Sequence, residues 1–191
     1  MSSAERRIWL VRHGETEWSL AGKHTSVTDL PLTAHGRDQT AALVPLLAQG
    51  SFARVLTSPR QRARVTCEIA GFGGVATVDD DLVEWDYGSY EGRTTLEIHA
   101  ERPGWSLWTD GCPGGESPDQ IAARLDRLLE RVAKIEGDVA LFAHGHVLRV
   151  LALRYLGWAM PVGAQLGLDT ATFCKLGRVS GQTTIVTWNV R

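Results

Sequence analysis

The sequence predicts an α/β fold, a three-layer α/β/α arrangement with a mostly parallel central sheet. Residues 8–11 and 139–143 are short, continuous apolar runs, as expected for strands buried on both faces of a parallel sheet. Longer segments with apolar residues at helical spacing lie between such runs, and strands that alternate with helices are typical of this architecture. The chain has 191 residues and no evident linker, so we expect one domain over residues 1–191.

The chain begins with the predicted strand at residues 8–11. Residues 17–29 show no apolar period and are predicted to form a loop near the end of that strand. Thr33 is a candidate N-cap for a helix over residues 34–47. Pro45 lies inside this helix and is expected to kink or shorten it.

A second strand is predicted at residues 55–57, followed by a helix. Ser58 is a candidate N-cap for this helix, and Pro59 suits its first turn. Arg60 and Arg62 also fall in the first turn, where an anion would find free backbone N–H groups as well.

Two irregular segments occupy the middle of the chain, after a short third strand at residues 75–78. Residues 82–92 and 105–116 combine aromatic and acidic residues with glycines and show no sustained period. Segments of this kind are often functional loops.

The last third of the chain carries the clearest periodic signals. A long helix is predicted to begin at Ser117 and Pro118. After the strand at residues 139–143, a second helix is predicted over residues 147–156, closed by Gly157. Residues 170–175 and 183–188 are rich in β-formers and are predicted to be late strands suited to a sheet edge.

Composition limits the classes of partner. There are 20 Lys and Arg residues against 22 Asp and Glu residues, for a formal charge of −2, with no basic block. This argues against nucleic acid or an anionic membrane as a partner. A chain with this net charge can still concentrate arginines in one cleft, so the composition does not exclude an anionic small molecule as the substrate.

Cysteine usage and the N-terminus bear on the compartment. The three cysteines are far apart and form no CxxC pair, so neither a zinc site nor a disulfide framework is predicted. Residues 1–7 lack an apolar segment, and no run approaches the roughly 18 apolar residues of a membrane span. We therefore expect an unexported, cytoplasmic protein.

Polar side chains follow three predicted strands at the point where each strand ends. Arg12 and His13 end the first, Arg60 and Arg62 begin the helix after the second, and His144 follows the strand at residues 139–143. The carboxyl ends of parallel strands lie at one sheet edge, so these groups are expected to converge. For each arginine taken singly, a surface side chain is the better interpretation. Together the groups favour an anion site, because a bound phosphate would offset their mutual repulsion.

Four ordered motifs resemble the histidine phosphatase superfamily, also called phosphoglycerate mutase-like, over most of the chain. The motifs are Arg12-His13-Gly14-Glu15-Thr16, Thr57-Ser58-Pro59-Arg60-Gln61-Arg62-Ala63 with Thr66, Glu84 before Tyr87-Gly88 and Glu91-Gly92, and Ala143-His144-Gly145. Further short stretches are most similar to the branch of sedoheptulose-1,7-bisphosphatases and mycobacterial acid phosphatases. These include His24-Thr25 and His144-Gly145-His146.

The resemblance implies a role for each of five residues. His13 would be the nucleophile that takes the phosphoryl group as a phosphohistidine. Arg12, Arg62 and His144 would hold the phosphoryl oxygens and the charge that develops on them. Glu84 would be the general acid for the leaving oxygen and then the base for the attacking water. No metal and no cofactor is expected in this reaction.

Candidate substrate-binding residues have weaker support. Ser19 stands where many mutases have Asn, and Thr25 and Ser58 could donate to phosphate. His146, which follows Gly145 in the last motif, is as well explained by a helix N-terminus as by a substrate contact. Trp85, Tyr87 and Trp108 could border the substrate, although large aromatics more often pack in the core. The candidate substrate-binding residues are therefore Ser19, Thr25, Ser58, Tyr87, Gly145 and His146.

Three functions are compatible with the motifs. The favoured one is a metal-independent phosphatase that acts on a small phosphorylated metabolite, such as a sugar phosphate or bisphosphate. A cofactor-dependent phosphoglycerate mutase is the nearest rival, but it must shield its phosphohistidine from water, and the chain is short between Glu84 and His144 for such enclosing segments. A catalytically silent protein that binds phosphorylated ligands is disfavoured because all five catalytic residues are present. A homodimer is possible, since apolar residues of the late segment would suit either an interface or the core.

Overall fold

The computed structural model describes residues 6–191. The expectation about residues 1–7 therefore falls largely outside the described residues. One six-stranded sheet has the order β3-β2-β4-β1-β5-β6. Its strands are β1 (Ile8–Arg12), β2 (Phe52–Thr57), β3 (Ala76–Val78), β4 (Asp138–Ala143), β5 (Phe173–Val179) and β6 (Gln182–Val190).

The sheet is mostly parallel, as predicted. The strands β1 to β4 run parallel, whereas β5 pairs antiparallel with β1, and β6 pairs antiparallel with β5. The prediction that both late strands suit a sheet edge is wrong for β5. That strand lies between β1 and β6 and is largely buried in its first half, so only β6 forms the edge.

Seven α-helices surround the sheet within residues 6–191. They are α1 (Glu17–Leu20), α2 (Ala34–Leu47), α3 (Gln61–Ile69), α4 (Thr95–Glu101), α5 (Leu107–Asp110), α6 (Pro118–Ala133) and α7 (Gly145–Leu156). Short 3₁₀ helices occur at Asp80–Leu82, Gly88–Tyr90 and Met160–Gln165. In this described part of the chain, no helix has the length and apolar character needed to cross a membrane.

Alternate residues of β1 divide the core into two apolar clusters. Ile8 and Leu10 face the cluster that α6 and α7 help to form. Trp9 and Val11 face the other cluster, which contains Leu43 of α2 and residues of α3. Because successive strand residues point to opposite faces, this partition confirms the three-layer α/β/α arrangement.

The predicted caps of three helices are present. Thr33 Oγ1 accepts the Gly36 N–H at 2.9 Å and begins α2. Ser117 and Gln120 form a capping box at the start of α6. Gly157 closes α7 with a φ of 70°, a conformation that favours glycine. Pro45 lies inside α2 and does not shorten it, since the helix continues to Leu47.

Several local predictions were wrong. The N-cap of α3 is Arg60 rather than Ser58, and Pro59 precedes the helix. Residues 17–20 of the predicted loop form α1, whose capping box pairs Thr16 with Ser19. Part of the second irregular segment forms α5. Helices of four residues span about one turn, so no apolar period can reveal them and local caps hold them instead.

Candidate active site

The ends of β2, β4 and β1 lie side by side and bring the predicted groups together. The His13 N–H donates to the Ala143 carbonyl at 3.0 Å, and the Ser58 N–H donates to the Phe142 carbonyl at 2.9 Å. The rings of His13 and His144 are then 5.2 Å apart between centroids. The predicted convergence of strand-end groups at one sheet edge is confirmed.

The ring of His13 is held in one tautomer. Its Nδ1 lies 2.7 Å from the Gly14 carbonyl oxygen, which can only accept, so Nδ1 carries the proton and Nε2 keeps its lone pair. Burial, with the charges of Arg62 and Arg12, lowers the pKa of His13 well below 6.5. The imidazole is therefore neutral near pH 7, with Nε2 unprotonated.

Gly14 joins the first motif to the second at close range. A Cβ on Gly14 would lie 2.4 Å from the Gly36 carbonyl oxygen, so no larger residue fits. The Gly14 N–H donates to Thr66 Oγ1 at 3.0 Å, and that hydroxyl donates to the Arg62 carbonyl at 2.7 Å. The backbone beside His13 is thus tied to the helix that carries Arg62.

Arg62 is completely buried and orients His144. Its Nε donates to His144 Nδ1 at 3.1 Å, while its terminal nitrogens donate to the carbonyl oxygens of Thr25, Ser26 and Thr28. With Nδ1 accepting, His144 carries its proton on Nε2, which donates to Ser58 Oγ at 2.8 Å. Burial and the charge of Arg62 lower the pKa of His144 well below 6.5, so this ring is also neutral.

Arg12 retains a free donor. Its Nη1 donates to the Leu168 carbonyl, but its buried Nε has no hydrogen-bond partner among residues 6–191. A Cβ on Gly145 would lie 3.2 Å from the Arg12 Cζ, so the glycine leaves room for this guanidinium. An unpaired buried N–H is costly, and Arg12 also lines a cavity, where its positive charge would attract an anion.

The carboxylate of Glu84 is held by three backbone N–H groups. Oε1 accepts from Trp85 at 2.9 Å and from Val147 at 2.8 Å, and Oε2 accepts from His146 at 3.0 Å. His146 and Val147 are in the first turn of α7, whose N-terminus favours a negative group. Glu84 is only 4% exposed, so its position is fixed relative to His13.

Most of the predicted site residues line a cavity of about 260 Å³. Its wall includes Arg12, His13, Ser19, Thr25, Glu84, Tyr87, Gly145 and His146. Arg62, His144 and Ser58 are buried and are not among its lining residues. Ser58 Oγ accepts from His144 Nε2 and from the Arg60 N–H, and donation by its O–H to phosphate stays a prediction.

Two predicted hydroxyls already have backbone partners. Ser19 Oγ donates to the Thr16 carbonyl at 2.9 Å, and Thr25 Oγ1 donates to the Lys23 carbonyl at 3.0 Å. A phosphate needs donors rather than acceptors. Ser19 and Thr25 line the cavity but could donate to phosphate only by giving up these bonds.

The aromatic candidates divide between the core and the cavity. Trp85 is completely buried, and its Nε1 donates to the Glu116 carbonyl at 3.0 Å. Tyr87 lines the cavity, with its hydroxyl 2.7 Å from His146 Nδ1. Burial raises the pKa of Tyr87 well above 10 and lowers that of His146 well below 6.5. Tyr87 and His146 are therefore both neutral, and they share this hydrogen bond at the cavity wall.

Sequence reasoning gave no role to six further lining residues, Thr16, Gly22, Lys23, His24, Thr95 and Arg149, although Thr16 and His24 stand in the motifs. Arg149 follows His146 by three positions on α7, which places both on one helix face, so this spacing was a usable signal. The Arg149 guanidinium lies 4.6 Å above the Trp108 ring, and burial lowers its pKa to about 10. No comparable pattern marks Thr95.

Buried histidines make stability depend on pH. Burial lowers the pKa of His24 from 6.5 to about 4. Between these values the unfolded chain binds a proton that the folded chain does not bind, so stability falls as pH falls through this window. We expect the free energy of unfolding, measured by chemical denaturation, to decrease between about pH 6.5 and about pH 4, and His24→Gln to reduce that decrease. Exposed His35 gives the matched control His35→Gln, and equal pH slopes for the His24→Gln variant and the wild type would contradict the expectation.

Comparisons with known proteins place the chain. The family model described as "Histidine phosphatase superfamily (branch 1)" matches residues 8–191. The chain belongs to the histidine phosphatase superfamily. An acid phosphatase of Mycobacterium tuberculosis is 39% identical over 90% of this chain and 86% of its own length. A sedoheptulose 1,7-bisphosphatase of Saccharomyces cerevisiae is 40% identical over 82% of this chain and 70% of its own length.

Solved structures agree with this placement. A structure of an open reading frame from Mycobacterium tuberculosis superposes with a TM-score of 0.92 and 35% identity, covering 97% of each chain. Family membership and the phosphatase relatives support a phosphoric monoester hydrolase with the phosphoglycerate mutase-like fold. Within residues 6–191, no group of three or more His, Cys, Asp or Glu side chains is placed to hold a metal ion.

Proposed function

We propose that this chain is a metal-independent phosphatase that hydrolyses a small phosphorylated metabolite through a phosphohistidine on His13. The observation that carries the proposal is the state of His13. Its ring is neutral, its Nδ1 proton is held by the Gly14 carbonyl, and its Nε2 lone pair adjoins the cavity that Arg12 also lines. A neutral imidazole with a free nitrogen is a nucleophile.

In the first step, His13 Nε2 attacks phosphorus and the bond to the leaving oxygen breaks. Phosphoryl transfer depends on positioning and on positive charge around the phosphoryl oxygens. Arg12 lines the cavity and is assigned to hold these oxygens with its positive charge. Arg62 and His144 are assigned to stabilise the same negative charge. Both are buried next to the His13 ring, outside the cavity wall.

Glu84 is assigned both proton transfers. It protonates the oxygen that leaves in the first step, which matters because an alkoxide is a poor leaving group. It then takes a proton from the water that attacks the phosphohistidine, and inorganic phosphate is released. Its place in the cavity wall supports this assignment, and three backbone N–H groups fix the orientation of its carboxyl group.

A sugar phosphate or bisphosphate is the proposed substrate class. The relatives include a protein named for sedoheptulose 1,7-bisphosphate, and the cavity volume of about 260 Å³ suits a small metabolite. Tyr87, His146 and Gly145 are assigned to substrate binding, together with Ser19 and Thr25 as hydroxyls at the rim. Neutral Tyr87 and His146 can bond to hydroxyl groups without adding charge.

The proposal also includes the expectations about the domain, the compartment and the partners. We assign residues 1–191 to one domain that works in the cytoplasm, without nucleic acid or membrane as a partner, and the charge of −2 with no basic block supports this. The homodimer stays a prediction, which light scattering on the purified protein tests.

A phosphate-release screen tests the proposed function. The purified protein is expected to release inorganic phosphate from sugar phosphates or bisphosphates, at rates unchanged by a chelator. A loss of activity with the chelator would contradict metal independence. Isomerisation of phosphoglycerate primed by a bisphosphate would favour a mutase, and tight binding of a phosphate ester without turnover would favour a silent binding protein.

A further inference from the structure

A partly buried ion pair of Arg124 and Glu116 contacts the backbone around Glu84. Arg124, on α6, is 8% exposed. Its Nε and Nη2 donate to the two carboxylate oxygens of Glu116 at 2.8 and 2.7 Å. Two parallel charge-assisted bonds of this kind fix both the distance and the orientation of the two side chains.

Arg124 also contacts the backbone that precedes Glu84. Its Nη1 donates to the carbonyl oxygens of Asp81 and Val83 at 2.7 and 2.9 Å. Val83 is the residue directly before Glu84, so its carbonyl belongs to the peptide that carries the Glu84 nitrogen. The segment entering Glu84 is therefore fastened to α6.

Glu116 contacts the backbone that follows Glu84. Its Oε2 accepts the Asp86 N–H at 3.0 Å, and its own N–H donates to the Asp86 carbonyl at 2.9 Å. Its carbonyl oxygen accepts from Trp85 Nε1 at 3.0 Å. The backbone that follows Glu84 is therefore held by Glu116, the ion-pair partner of Arg124.

We propose that the Arg124–Glu116 pair is a positioning device for proton transfer by Glu84. The inference rests on the proposed function, in which Glu84 protonates the leaving oxygen. The pair holds Val83 before Glu84 and Asp86 after it against a capped helix, while the N-terminus of α7 holds the carboxylate itself. A displacement of about 1 Å at a reacting group can cost about a hundredfold in rate. A less well held backbone around Glu84 would therefore slow its proton transfer.

The choice of leaving group separates positioning from general stabilisation of the fold. p-Nitrophenyl phosphate releases a stable phenolate that needs no proton, whereas glycerol 2-phosphate releases an alkoxide that does. The ratio kcat/KM covers only the steps up to the phosphohistidine, so water attack does not affect it. A loss of folded protein would lower kcat/KM equally for the two esters.

Arg124→Lys and Glu116→Gln are the test variants, because each breaks the paired bonds and keeps a side chain of similar length. For glycerol 2-phosphate, kcat/KM is expected to fall by about 10- to 100-fold in each variant, against less than about threefold for p-nitrophenyl phosphate. Arg127→Lys is the matched control on the same helix. Arg127 is exposed and bonds to the Asp81 side chain at 3.4 Å, and its replacement is expected to change neither value.

Glu84→Gln, assayed in parallel, separates the failure of this inference from that of the proposed function. If Glu84→Gln shows the selective loss and the two pair variants lose activity on both esters equally, or on neither, the positioning role is overturned and the role of Glu84 stands. If Glu84→Gln loses both activities equally, its role as general acid is overturned and the positioning role with it. Selective loss in Glu84→Gln and in either pair variant supports the proposal.

Discussion

Replacing His13 with alanine is expected to lower kcat by at least about four orders of magnitude, since the reaction loses its nucleophile. No other imidazole can substitute. The nearest ring, that of His144, has its Nδ1 bonded to Arg62 and its Nε2 bonded to Ser58. Steady-state release of inorganic phosphate measures the effect.

His35→Ala is the control for His13→Ala. His35 is an exposed residue of α2 that contacts Gln39 at 3.0 Å, and its replacement is expected to leave kcat unchanged. Binding of inorganic phosphate, measured by calorimetry, should survive in His13→Ala because Arg12 remains. Near-full turnover by a folded His13→Ala protein would remove His13 from the mechanism.

Replacing Arg62 with lysine is expected to lower kcat by about 10²- to 10³-fold, although the charge is retained. A single ammonium cannot donate to His144 Nδ1 and also to the carbonyl oxygens of Thr25 and Thr28, as the fork of Arg62 does. His144 would then lose the bond that fixes its tautomer. The buried carbonyls left unpaired would also reduce the free energy of unfolding by about 1–3 kcal/mol.

Arg64→Lys gives the matched comparison, since Arg64 lies on the same helix and is exposed. We expect wild-type kinetics and an unchanged free energy of unfolding for this control. If Arg62→Lys also retained wild-type kcat, charge alone would be sufficient at this position and the fork geometry would have no catalytic part.

The architecture and the convergence of the site were predictable from the sequence. Continuous apolar runs predict β1 and β4, and the rule that parallel strands end at one sheet edge places His13 and His144 together. The roles of these two histidines came from motif resemblance. The structure adds a physical difference between them, because only His13 keeps an unprotonated ring nitrogen beside the cavity.

Features that depend on tertiary contacts could not be predicted. The hydroxyl of Ser58 turns to His144 because the two strand ends are neighbours, and no local pattern encodes that distance. Arg124 follows Ile121 by three positions and precedes Leu128 by four, so it lies on the apolar face of α6, but no local pattern shows what its guanidinium contacts. Its burial follows from the carbonyls that α6 meets on the segment before Glu84.

The position of the phosphoryl group on the enzyme tests the central claim most directly. Rapid quenching of turnover with a ³²P-labelled ester that has a good leaving group, followed by digestion and identification of the labelled residue, gives this position. We expect acid-labile, alkali-stable phosphate on Nε2 of His13, because Nδ1 is engaged by the Gly14 carbonyl. Label on Nδ1, label on another residue, or catalysis within a single turnover without any labelled enzyme would contradict the account.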